Sequence, residues 1–271
     1  MKSIIYSPKR KYWLKASISF IICLLFLVFT SSQKEELNQG PIPDTDRLSS
    51  SALSKRFNTN YERIRDVEGN FYKTVKIGDQ WWMAENLKTT RYKDGSYIDY
   101  PGANNVLWES NSSGAYAWYN NDTNFKFAYG ALYNWYAVNT GKLCPTGWHV
   151  SSDGEWKALE TYLGITGDLD HDGERGGLEG GKLKEAGFIH WFSPNVDATN
   201  ESGFTALACS FRYQSGNYYS LTQHDQNGVF WTSTMDDPYS AWNRSLHHNN
   251  STINRLPHPF NQGFSVRCIK N

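Results

Sequence analysis

Phe71-Tyr72-Lys73-Thr74-Val75-Lys76-Ile77-Gly78-Asp79-Gln80-Trp81-Trp82-Met83 is the stretch on which the fold turns. Phe71, Lys73, Val75 and Ile77 alternate with Tyr72, Thr74 and Lys76, which is the period of a pleated strand. Gly78-Asp79 then marks a turn into a second apolar run, so an antiparallel hairpin is expected. Further along, Ser152 lies three residues before Glu155 as a capping box, and Trp156, Leu159 and Leu163 share one helical face until Gly164. That pattern predicts a helix. Residues 229–232, 241–246 and 264–269 read as short strands, the last with Phe264, Val266 and Cys268 on one side. Few helices beside many short, irregular strands predict an α+β domain.

Working outward, aromatic and apolar residues recur from Tyr61 to the end without a low-complexity gap, which predicts one domain over residues 61–271. Residues 33–60 are rich in Ser, Asn, Asp, Gln and Pro and read as a flexible linker. Residues 1–32 carry a basic segment ending at Lys15, an apolar run from Ala16 to Phe29 and then Thr30, Ser31 and Ser32. The run is short for a membrane span and suits a signal peptide. Export is therefore expected, and contact with a membrane only through this segment if it stays uncleaved. Phe20, Ile21 and Ile22 before Cys23 lack the small residue that lipoprotein processing requires.

The formal net charge is zero, but five of the 27 basic residues and no acid lie in residues 1–32. The remainder carries 22 basic against 27 acidic residues, and this acidic body argues against nucleic-acid binding. With 39% hydrophobic residues and 15% aromatic, the chain is neither disordered nor collagen-like, and it can fill one rigid core. The tryptophans are spread throughout, so most are expected inside, with two or three exposed. Cys144, Cys209 and Cys268 remain after the leader; an oxidising compartment favours one bridge, with Cys144 and Cys268 as the expected pair and Cys209 buried. Three buried, reduced thiols are the alternative.

Asp168-Leu169-Asp170-His171-Asp172-Gly173, with Glu179 at the twelfth place, fits the calcium-loop template as a string. Arg175 stands where an apolar anchor belongs, however. A solvated acidic loop competes with a weak calcium site using Asp168, Asp170, Asp172 and Glu179, and no other cofactor is expected. Gly176 and Gly181-Lys182 approach a phosphate loop, but Leu183 replaces the hydroxyl residue that would hold magnesium. No His-x-x-x-His, Cys-x-x-Cys or Gly-x-Ser-x-Gly pattern occurs.

The segment 243–262 differs in kind, being crowded with Asn, Ser, His and Thr and poor in large apolar residues. Such adaptable hydrogen-bonding groups suit a loop-rich recognition surface. Trp231, Trp242, Asn243, His247, His248, Asn250, Asn254 and Arg255 are the expected ligand contacts, the tryptophans acting as flat platforms.

Several strings, in order, resemble one family. They are residues 66–90, Tyr129-Gly130-Ala131-Leu132-Tyr133-Asn134-Trp135, Cys144-Pro145-Thr146-Gly147-Trp148-His149-Val150, Gly181-Lys182-Leu183-Lys184, Phe230-Trp231-Thr232-Ser233-Thr234 and Gly263-Phe264-Ser265-Val266-Arg267-Cys268. Together they look like the Fibrobacter succinogenes major paralogous domain, found in secreted and surface proteins of Bacteroidetes and Fibrobacteres. That family is similar to the C-type-lectin-like superfamily, which includes formylglycine-generating-enzyme-like domains. The resemblance implies a single C-type-lectin-like α+β domain whose loops near the C-terminal strands bind a ligand. It also matches Cys144 and Cys268 to the family's paired cysteines. Departures occur at Ala208-Cys209-Ser210, where Pro-Gly-Gly is usual, and in the longer acidic insert at 168–175. The functional expectation is a secreted or cell-surface module that binds a glycan or protein ligand without catalysis. A structural envelope component and, less favoured, a formylglycine-generating-like or glycan-acting enzyme are the alternatives.

Overall fold

The computed structural model describes residues 62–219 and 224–271. The expected signal segment and linker lie outside the described residues. β1 (Arg63–Arg65), β2 (Phe71–Ile77) and β3 (Gln80–Met83) run antiparallel in succession. The expected hairpin is present, with Val75 opposite Trp82 and Gly78 turning the chain at φ +60°. Both faces of β2 are partly covered, because Tyr72 enters one hydrophobic cluster while Val75 and Ile77 enter another.

The last strand, β11 (Cys268–Lys270), inserts between β3 and β6 (Trp148–Val150), giving the sheet order β1-β2-β3-β11-β6. Ile269 lies opposite Trp82 on one side and His149 on the other. The Cys144–Cys268 disulfide, with Cα atoms 6.0 Å apart, fixes the approach to β6 onto β11. Only 268–270 of the expected terminal strand joins this ladder. Phe264 and Ser265 are extended but bridge to Tyr133 and Phe230 in other elements.

A second sheet has the order β7 (Gly173–Arg175), β10 (Ile253–Pro259), β9 (Ser240–His247) and β8 (Asn227–Asp237), and a small ribbon joins β4 (Tyr116–Ala117) to β5 (Leu132–Tyr133). The helices are short: α1 (Asn105–Glu109), α2 (Lys126–Tyr129), α3 (Trp135–Asn139), α4 (Asp153–Leu163) and α5 (Glu179–Leu183). α4 begins as expected, since Ser152 Oγ accepts from the Glu155 amide at 3.2 Å and Glu155 Oε2 accepts from the Ser152 amide at 2.7 Å. Gly164 ends it in the left-handed region. Eleven strands, all in antiparallel ladders, with five α-helices among the described residues make this one compact α+β domain.

The tryptophan expectation is corrected in one respect: none of those described is exposed, and only Trp81 and Trp242 are even partly so. Trp82, Trp156, Phe204 and Phe230 meet edge to face or tilted between the sheets and α4. Fully buried Arg267 donates to the carbonyls of Met83 (2.9 Å), Phe204 (2.7 Å) and Thr205 (2.8 Å) and to Asn86 Oδ1 (2.6 Å). Burial pulls its pKa down to about 9. It is a neutral-partnered cross-link between the C-terminal strand and two distant loops.

Candidate functional site

The polar segment at 243–262 is mostly a strand hairpin rather than a set of loops, and this changes what its residues do. Cross-strand pairs share a face, and successive residues alternate faces. Asn243 pairs with Leu256, and Ser245 with Asn254. β8 extends the same rows with Trp231 beside Asn243, Val229 beside Ser245 and Asn227 beside His247. One face thus presents Asn243, Ser245 and His247 with Asn254, Leu256 and His258. The opposite face turns Arg244, Leu246, Ile253 and Arg255 toward α4.

The first face lines a cavity of about 420 Å³ together with Phe211, Tyr219, Phe264 and His248. Asn243 Nδ2 donates to the Leu256 carbonyl (2.6 Å) and to His258 Nδ1 (2.6 Å). Its Oδ1 has no partner, although the residue is 1% exposed. Asn254 Oδ1 is likewise buried and unpartnered. His247 Nδ1 lies 2.6 Å from Asn227 Oδ1, and Ser245 Oγ lies 3.3 Å from His247 Nε2. Burial lowers the pKa of both His247 and His258, which keeps the imidazoles neutral at physiological pH.

Beneath the turn after β9, buried Lys184 donates to the carbonyls of Val196 (2.8 Å), His247 (3.0 Å) and Asn250 (2.8 Å). Burial pulls its pKa down to about 8. An ammonium with three donors meets three acceptors there, so Lys184 pins the end of the strand that carries His247.

Of the expected contacts, the structure brings Asn243, His247, His248 and Asn254 to the wall of one cavity. His248 sits at the rim, its Nδ1 3.1 Å from the Ser193 carbonyl and its ring edge-on to Phe192. Asn250 belongs to the turn held by Lys184 and does not line the cavity. Three expected contacts are corrected. Trp231 is 0% exposed, donates Nε1–H to the Tyr133 carbonyl and packs on Phe264, so it supports the floor from within the core. Trp242 and Arg255 belong to the opposite face, with the guanidinium 3.3 Å from the indole centroid. Arg255 is 4% exposed and is taken by Asp153 at 2.9 and 3.1 Å. Asn227, Phe211, Tyr219 and Phe264 were missed as site residues, and no local signal marked them; His258 and Ser245 follow once the segment is read as alternating strands.

The structure does not gather Asp168, Asp170, Asp172 and Glu179 round one point. Residues Gly173–Arg175 form β7 against β10, and the Arg175 guanidinium lies inside the preceding loop, donating to the carbonyls of Leu169 (2.6 Å) and His171. Arg255 donates to the Asp170 carbonyl at 2.8 Å. The carboxylates diverge: Asp170 pairs with Lys157, Asp168 accepts from the Asp170 amide, Asp172 faces Arg255, and Glu179 accepts from the amides of Gly177 and Leu178. Two guanidinium groups thus donate to the carbonyls of this loop. Among the described residues no group of three or more His, Cys, Asp or Glu is arranged to hold a metal ion.

A larger open trough of about 1220 Å³ runs along β2, lined by both signs of charge, among them Lys73, Lys76, Lys88, Glu85, Glu185 and Glu201. None of the buried, unpartnered polar atoms belongs to its wall. That contrast singles out the smaller cavity.

Fold and site together define a cystine-clamped α+β domain with a neutral polar pocket on the face of a β-hairpin. Residues 75–270 match the model of the Fibrobacter succinogenes major domain, and the chain belongs to that family. No curated protein and no solved structure matches the chain.

Proposed function

We propose that the chain is a secreted or cell-surface binding module whose ligand, a glycan, enters the pocket between β8, β9 and β10 and the aromatic wall of Phe211, Tyr219 and Phe264. The observation that carries this reading is the unpartnered Oδ1 of Asn243 in a pocket of amides, neutral imidazoles and rings. An unmet buried acceptor costs about 1–3 kcal/mol, which a ligand donor would recover. Rings beside uncharged hydrogen-bonding groups match the alternating apolar and hydroxylated faces of a sugar. Export is part of the proposal and rests on the leader-like segment at 1–32 and on the disulfide. Kinship with C-type-lectin-like domains is also part of it, supported by the order of the family strings and by the short, irregular strands.

A binding role without turnover agrees with the state of the thiols. Cys144 and Cys268 are bridged, and burial pushes the Cys209 thiol up to about 11, so a thiol-based oxidase would lack its nucleophiles. Calorimetry of the mature chain against a glycan panel tests the reading. Asn254→Ala should weaken binding of the best ligand by at least about 1 kcal/mol while the melting temperature stays nearly fixed. No saccharide binding in the panel, or a variant that binds as well as the parent, would refute the pocket as the site.

A further inference from the structure

The aromatic wall of the pocket continues beyond the residues that line it, which bears on the length of the ligand; the inference rests on the glycan reading above. Phe211 and Tyr219 belong to a short hairpin. Arg212 bridges antiparallel to Tyr218, the Tyr219 amide donates to the Phe211 carbonyl at 3.0 Å, and the Tyr213 amide donates to the Asn217 carbonyl at 2.7 Å. Alternation puts Phe211, Tyr213 and Tyr219 on one face of this hairpin and Arg212 and Tyr218 on the other. On the first face the Phe211 ring stacks on Tyr219 and meets Tyr213 edge to face, with centroid separations of 5.0 Å in both cases, and it reaches Phe264 at 5.7 Å. Phe264, Phe211 and Tyr219 line the cavity, whereas Tyr213 lies outside it and is 38% exposed. The rings therefore form one strip that starts buried at Phe264 and emerges into solvent at Tyr213.

The opposite face holds that strip in place. Arg212 is fully buried, with its guanidinium 4.4 Å from the Trp108 centroid and 5.0 Å from that of Tyr218, and its Nε donates to the Gly216 carbonyl at 2.7 Å. The Gly216 amide in turn donates to the Tyr213 carbonyl at 2.9 Å, closing the turn. An exposed ring on a turn pinned from beneath loses little freedom when a ligand covers it, so its contact is kept as affinity. The cavity, at about 420 Å³, is near the low end of enclosed small-ligand sites, and a longer chain has to leave it over the rim. We infer that the module takes an oligosaccharide rather than a single sugar, with one end in the pocket and a following unit stacked on Tyr213.

The test is calorimetry of the mature chain against cello-, malto-, xylo- and N-acetylchito-oligosaccharides, each supplied from the monosaccharide to the tetramer. In a series that binds, affinity is expected to rise about tenfold or more from the shortest binding member to the longest. Tyr213→Ala should abolish that rise while leaving the shortest member's affinity and the melting temperature unchanged. Tyr213→Phe should keep the rise, because the platform is the ring and not the hydroxyl. If Tyr213→Ala disturbs the hairpin, Tyr213→Thr replaces it with a side chain that suits a strand. Affinity that is the same at every length, or a rise that survives loss of the ring, overturns the inference and leaves the pocket reading standing. Binding of no saccharide at any length overturns both.

Discussion

Asp153 opens α4 at 4% exposure and accepts from Arg244 at 2.7 Å, Arg255 at 2.9 Å and Lys157 at 2.9 Å. Burial alone would raise its pKa; the hydrogen bond from Arg255 and the charge of Arg244 hold the carboxyl well below its ordinary value of 3.8. The folded value is the lower one, so the unfolded chain takes up the proton first as pH falls. The stabilisation is complete above about pH 4 and is lost progressively below it. Asp153→Asn should cost about 3 kcal/mol in denaturant unfolding at pH 7, because it takes a shared carboxylate from two buried guanidinium groups and leaves Arg244 with Glu160 and Arg255 with Asp172, and it should flatten the acid limb of the stability curve. An unchanged acid limb would place the titrating group elsewhere. Trp242 shows why single residues mislead: as a late tryptophan in a polar segment it reads as a platform for ligand, yet its ring serves Arg255.

Between elements, the informative contact is α5 against the strands and the loop around Asp197. A Cβ on Gly181 would lie 2.2 Å from the Asp197 carbonyl oxygen, and one on Gly180 would lie 2.5 Å from the Thr252 carbonyl oxygen. The glycines that resembled a phosphate loop are there for close backbone approach. Gly181→Ala should cost about 1–3 kcal/mol by overpacking, measured by chemical denaturation, and a cost under about 0.5 kcal/mol would show that the neighbouring loop yields. The hairpin β2–β3 and the capped start of α4 were legible because both are set by neighbours within four residues. The hairpin β9–β10 was seen only as a short strand running into polar loop, since its hydrogen-bonding residues alternate between two buried faces and leave no apolar stripe. Reading Asn243, Ser245 and His247 against Asn254, Leu256 and His258 needed the register, which sequence does not print.

Over the whole molecule, the Cys144–Cys268 bridge spans 124 residues and ties the segment leading into the edge strand β6 to the C-terminal strand β11 of the same sheet. On the chain-entropy model a closed loop of that length is worth about 5 kcal/mol. The double variant Cys144→Ser, Cys268→Ser should therefore melt well below the parent in calorimetric scans. A change of only a degree or two would mean that the sheet itself carries the clamp. By itself the sequence determined the α+β class, the hairpin at 71–83, the capped helix and the cysteine pair, because these rest on short periods, caps and recurring strings. The tertiary structure alone decided which polar residues face the pocket and which are spent in the core. Arg244 and Arg255 are claimed by Asp153 from 91 and 102 residues away, and the carbonyls of the acidic insert accept from the guanidinium groups of Arg175 and Arg255. Burial and pairing are settled by which distant surfaces meet, and a polar side chain looks the same in sequence whether solvent, a ligand or a buried carboxylate completes it.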